Sequence, residues 1–185
     1  SITDCGRRNT DRPFGNGYVR QIIDLITARY PAHENAFINA GIGGHTVLEL
    51  QARWTDDVIR HQPDWISVKI GINDIHRWLF HENVNNTGPE DYERVYDILL
   101  QRIKDETKAQ LVLIDPFYIS TETSPHSPRS QVLELLPTYL KTVARLARKY
   151  KAKHVRTHDA FQEQLKRFPP RSEERRVGKE CPSPC

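Results

Sequence analysis

The apolar positions along the chain change period several times, and each change marks a switch between strand and helix. From about Tyr18 to Tyr30, Ile22, Ile23, Leu25 and Ile26 crowd one side of a helical pattern that Pro31 ends. Ala36 to Asn39 is a short apolar strand candidate, followed by a glycine-rich loop from Ala40 to His45. Thr46, with Glu49 three residues on, has the form of a capping box opening a helix, and a second short helix is expected from Thr55 to His61. Trp65 to Ile70 has the composition of a buried strand that stops at Gly71. A loop to Gly88 is expected next, then a long helix from Pro89 to Glu106. Pro89 suits its first turn, and Tyr92, Val95, Tyr96 and Leu99 are spaced for one face. Leu111 to Ile114 is the clearest strand, closed by Asp115-Pro116. A Ser/Thr/Pro-rich loop over 120–129 leads into a helix from Ser130 to Tyr150, with a break or bend at Pro137. A shorter strand from Lys153 to Arg156 and a helix from Ala160 to Phe168 complete the pattern.

Strands alternating with helices predict a parallel sheet covered on both faces. Ligands of such sheets bind at the carboxyl ends of the strands. The loops after Asn39, Ile70, Ile114 and Arg156 should therefore gather on one rim.

Composition narrows the partners. The chain has 185 residues, 37% hydrophobic and 28% charged, which fits one folded domain. Its net charge of +3 falls to +2 without residues 171–185, too little to argue for nucleic acid or an anionic membrane. No apolar run is long enough to span a bilayer. Cys5, Cys181 and Cys185 form neither an even disulfide set nor a metal-like pair, so neither a disulfide framework nor a zinc site is indicated. From about Arg171 the periodicity stops. Residues 171–185 resemble a translated sequencing adapter more than a continuation of the fold, so the expected domain is 1–170 with a non-native or disordered tail.

Three short blocks carry the chemistry. The first is Ser1-Ile2-Thr3-Asp4, the second Asn39-Ala40-Gly41-Ile42-Gly43-Gly44-His45-Thr46, and the third Gly71-Ile72-Asn73-Asp74. Each has a bland reading. Gly44 fits an ordinary turn, and Asn73-Asp74 fits an Asx-turn closing a strand. Trp78 is either a flat pocket wall or an anchor for its loop. In this order, however, and each at a predicted strand end, the blocks resemble the SGNH (GDSL-like) hydrolase family, in a carbohydrate-esterase-like form, over residues 1 to about 168.

That resemblance implies a flavodoxin-like, three-layer α/β/α sandwich with a parallel sheet in the order 2-1-3-4-5. It implies Ser1 as nucleophile and oxyanion donor, with Gly44 and Asn73 as further oxyanion donors. The reaction implied is hydrolysis of carboxylic esters, O-acetyl groups on carbohydrate among them, through an acyl-enzyme. The substrate would be a small-molecule or carbohydrate ester, and no metal or other cofactor is implied. Two departures accompany it. The chain opens on the serine, without the Gly-Asp and the first strand that would precede it, and it contains no methionine, as a fragment would. No Asp is followed three residues later by His, so the family's D-x-x-H base is absent. His158, beside Asp159, is the nearest substitute and is expected to be a solvated loop residue. The chain itself is therefore expected to be inactive and poorly stable. A non-catalytic carbohydrate-binding protein that kept the fold is the alternative, and a cytoplasmic setting is slightly favoured.

Overall fold

The structure, a computed structural model, describes residues 2–8, 13–81 and 87–168. They fall into two compact units divided between Gly44 and His45. The 171–185 tail and Ser1 lie outside the described residues.

The second unit carries the sheet. β1 (Trp65–Val68), β2 (Gln110–Ile114) and β3 (Lys153–Val155) run parallel in the order β1-β2-β3. This matches the consecutive placing of strands 3, 4 and 5 in the expected order. The register sets Ile66 beside Leu111 and Val68 beside Leu113, so their side chains share one buried face. α5 (Pro89–Glu106) and α6 (Pro128–Lys149) supply most of the core against that face. Tyr92, Tyr96, Leu99 and Leu100 from α5, and Val132, Leu136, Tyr139 and Leu146 from α6, are all fully buried.

α6 is continuous through Pro137, where a break or bend was expected; the helix does not break there. The proline removes one helical hydrogen bond. The buried stripe Val132–Leu136–Tyr139–Val143–Leu146 on either side of it holds the turns in line. The expected Thr55–His61 helix is instead α3 (Trp54–Asp57), which follows α2 (Val47–Ala52), and a 3-10 turn at Ile59–His61. Trp54 anchors this segment, buried and donating its indole N–H to the Leu99 carbonyl at 3.2 Å.

Two expectations are overturned. Residues 72–80, expected to be loop, form α4 (Ile72–Phe80). The cause is the spacing of Ile72, Ile75 and Leu79, which pack on the core, together with an aspartate in the first turn that suits the positive end of a helix. The Asx-like Asn73-Asp74 pair obscures that pattern. Ala36 to Asn39, expected to be a strand, has no secondary structure. A strand exists only where a neighbour takes its N–H and C=O groups, and none of the three described strands pairs with it.

The first unit is held differently. Its helix α1 (Tyr18–Arg29) buries no residue, and Ile22 and Leu25 are exposed. Asp4 and Asn39 are buried instead.

Gly71, between β1 and α4, has φ +127°, a conformation an L-residue rarely adopts. A Cβ there would lie 3.0 Å from the Tyr92 hydroxyl oxygen and 3.2 Å from Pro116. Gly71→Ala should therefore destabilise the fold by about 1–3 kcal/mol. Urea denaturation checks this, and an unchanged midpoint would contradict it.

Candidate active site

The third sequence block turns at Gly71 directly into α4, so Asn73 and Asp74 sit in the first turn of that helix. Asn73 donates from Nδ2 to the His45 carbonyl at 2.9 Å. An amide nitrogen has two hydrogens, so one can fix the side chain while the other serves a ligand. Asp74 is fully buried. Its Oδ1 accepts from the Val47 N–H at 2.9 Å and, at a longer 3.3 Å, from the Thr87 hydroxyl. Its Oδ2 is also buried, without a hydrogen-bond partner among the described residues.

This carboxylate ties the first turn of α2 to the first turn of α4. The other tie at α2 is Glu49, which accepts from the Thr46 N–H at 2.7 Å and from the Thr46 hydroxyl, closing the expected capping box. Glu49 also pairs with Arg77 of α4. Burial works against its charge, but the Thr46 and Arg77 contacts outweigh that and hold its carboxyl down at about 2.

In the first unit, the serine block and the glycine-rich block are joined by polar contacts. Asp4 Oδ2 accepts from Arg8 Nε at 2.9 Å, from Arg8 Nη2 at 2.8 Å and from the Gly43 N–H at 2.9 Å. Asn39 donates from Nδ2 to the Thr3 carbonyl at 2.8 Å and the Phe14 carbonyl at 3.0 Å, and its Oδ1 accepts from the Gly41 N–H at 2.9 Å. The chains approach so closely at Gly41 that a Cβ would sit 2.8 Å from the Asp4 nitrogen and 2.8 Å from Thr3 Cγ2. Gly44 has φ +79° and open space where a Cβ would be, so its turn conformation is what calls for glycine. The serine block thus reaches the glycine-rich loop through Asp4 and Thr3, members of that block to which the sequence pattern assigns no role of their own. The one local signal is the Arg7-Arg8 pair three and four residues after Asp4.

The histidines in and just after β3 have structural partners. His158, expected in a solvated loop, is the second residue of α7 (Thr157–Arg167) and half-buried. Its Nδ1 accepts from the Tyr118 N–H at a long 3.5 Å, and burial holds its pKa below the usual imidazole value. Asp159 is paired with Arg156. His154 Nε2 bonds Asp115 Oδ1 at 2.6 Å, and the Asp115 N–H donates to the Val155 carbonyl at 3.0 Å, so this Asp–His pair fastens β3 to the end of β2. Trp78 lies on α4, 47% exposed, with its ring edge beside Gly88. Among the described residues, no cluster of three or more His, Cys, Asp or Glu could hold a metal ion, and no helix is long and apolar enough to cross a membrane.

Burial without a cation pushes the Asp74 carboxyl up to about 6, against the pull of the Val47 and Thr87 bonds. A raised folded pKa means the folded state binds the proton more tightly than the unfolded chain. The stability owed to this group therefore falls as pH rises from ~4 to ~6, by on the order of 2 kcal/mol. Relative to Asp74→Asn, the melting temperature of the native chain should rise on acidification from pH 7 to pH 5. Parallel pH curves for the two proteins would contradict this.

The profile of the GDSL-like Lipase/Acylhydrolase family matches residues 1–175. An acetylxylan esterase of Geobacillus stearothermophilus is 35% identical over 178 residues, covering 92% of this chain and 78% of its own length. A solved structure of a mutant of Axe2, an acetyl-xylooligosaccharide esterase from Geobacillus, superposes with a TM-score of 0.81 at 34% identity, over 92% of this chain and 78% of its own. A Parabacteroides merdae structure described as a GDSL-like lipase superposes with a TM-score of 0.82 at 30% identity, over 91% of this chain and 79% of its own. The α/β fold, the parallel three-stranded sheet flanked by helices and the extent of the match agree: the chain belongs to the GDSL-like lipase/acylhydrolase family.

Proposed function

We propose that residues 1–170 carry a serine esterase site for O-acetyl groups on carbohydrate, working through an acyl-enzyme. The observation that carries this reading is Asn73, an amide donor at the head of α4 fixed by the His45 carbonyl and flanked by the buried Asp74 tie. The acetylxylan esterase relative supports a carbohydrate acetyl ester as substrate. In the reaction, Ser1 Oγ attacks the acetyl carbonyl carbon and its proton passes to a base. The carbonyl oxygen gathers negative charge, which N–H donors from Ser1, Gly44 and Asn73 stabilise. The sugar oxygen leaves with a proton, and water then cleaves the acetyl-serine.

The base is the missing part. The sequence has no D-x-x-H, His158 is bonded to the Tyr118 N–H, and His154 is bonded to Asp115. The 185-residue chain alone is therefore read as catalytically silent. The second reading is a carbohydrate binder that kept the fold.

The chain as it stands should release p-nitrophenol from p-nitrophenyl acetate no faster than its Ser1→Ala variant; turnover well above that control would overturn the silent reading. The esterase reading is tested by joining residues 1–168 to the flanking segments of the Geobacillus acetylxylan esterase, which supply chain before Ser1 and, after 168, the aspartate and histidine altered in its catalytic mutants. The folded chimaera should release acetate from acetylated xylotriose. Ser1→Ala should abolish that release, and Asn73→Ala should slow it by about 10²–10³. A folded chimaera that binds the sugar without releasing acetate would support the binder instead.

A further inference from the structure

Asn73 is the first of a row. On a helix, residues three, four and seven apart share a face, so His76, Arg77 and Phe80 continue the Asn73 side of α4. His76 lies about 4.5 Å and Phe80 about 10 Å along the axis from Asn73. The rings form a chain. Phe80, 40% exposed, has its centroid 6.2 Å from the His76 ring, and Tyr118 stands edge-on to His76 at 5.7 Å and 88°.

Tyr118 comes from the loop after β2, the carboxyl end where ligands of parallel sheets bind. Its backbone is held at both groups, the N–H by His158 and the carbonyl by Gln162 Nε2 at 3.1 Å. The platform is therefore built on a fixed loop and a helix.

Its chemistry points to a sugar. Aromatic faces carry negative charge density that attracts the weakly positive C–H faces of a pyranose ring. Burial holds the His76 pKa below the usual imidazole value, favouring the neutral ring, which offers one N–H donor and one acceptor to hydroxyl groups. A long acyl tail fits poorly, because the Arg77–Glu49 ion pair borders the same face and would lose its solvent.

We propose that His76, Tyr118 and Phe80 form the sugar platform of this site, seating the pyranose ring whose acetyl group is presented to Asn73. The inference rests on the carbohydrate-ester reading above, and deepens it by naming the residues that select the sugar.

The test uses the full 185-residue chain, with xylotriose and its mono-O-acetyl form as probes. In an NMR titration the ring protons of His76, Tyr118 and Phe80 should shift saturably. Phe80→Ala should weaken binding by about tenfold, as Tyr118→Ala should. Trp78→Ala, on the Gly88 side of the same helix, should leave binding unchanged. Circular dichroism confirms that each variant is folded. Three outcomes would overturn the platform: no binding, sugar-induced shifts confined to other residues with native affinity in Phe80→Ala, or ring shifts produced by hexanoate but not by xylotriose. None of them decides whether the folded chimaera releases acetate and loses that release in Ser1→Ala, on which the esterase reading stands or falls separately.

Discussion

A carboxylate sealed in the core, with no cation paired to it among the described residues, is the constraint on which the site depends. Asp74 accepts the N–H at the head of α2 and the Thr87 hydroxyl, and it sits one residue after Asn73 in the first turn of α4. Burying such a group costs energy that an asparagine or a leucine would not. In return the starts of two helices are locked to each other through one oxygen, and α4 cannot rotate without breaking that lock. The row Asn73–His76–Arg77–Phe80 inherits its direction from this tie. Glu49 repeats it one turn on, capping α2 while pairing with Arg77.

The first unit solves a similar problem with opposite electrostatics. Asp4 is buried too, yet its pKa is lowered. Burial opposes its charge, but the Arg8 hydrogen bonds, the Gly43 N–H and the nearby guanidinium charges of Arg8 and Arg7 prevail. A depressed carboxyl contributes stability that is present at neutral pH and lost as pH falls through its folded pKa. Asp74 behaves in reverse, easing as it takes a proton. Acid should thus loosen the contact between the serine block and the glycine-rich loop while relieving the α2–α4 junction. The first unit, with α1 burying no side chain, relies on such polar ties for its order.

Sequence pattern revealed the sheet and the long helices because their apolar positions repeat at the strand and helix periods. The Leu111–Ile114 strand and the Pro89–Glu106 helix are placed almost to the residue. It failed where a local rule competed with tertiary packing. Asn73-Asp74 resembles a turn but lies in the first turn of a helix, since Ile75 finds the core. Pro137 resembles a break, but the residues around it are buried on one stripe. Ala36–Asn39 has the composition of a strand without a neighbour to pair with. For the site, the blocks themselves were legible. The ties that hold them were not, because Asp4, Asn39 and Asp74 act through contacts 25 to 39 residues away in sequence. His76 and Phe80 share α4, and Tyr118, from the loop after β2, joins them only through folding.

The central claim is that the Asp74 carboxylate fixes the Asn73 amide in place. Solvent exchange of the Asn73 side-chain NH₂ protons, followed by NMR in the native chain and in Asp74→Ala, tests it most directly. Slow exchange of one Nδ2 proton in the native chain, rising to the rate of a free amide in the variant while the β2 backbone amides stay protected, is the predicted result. Equal exchange in both proteins, with the fold intact, would contradict the account.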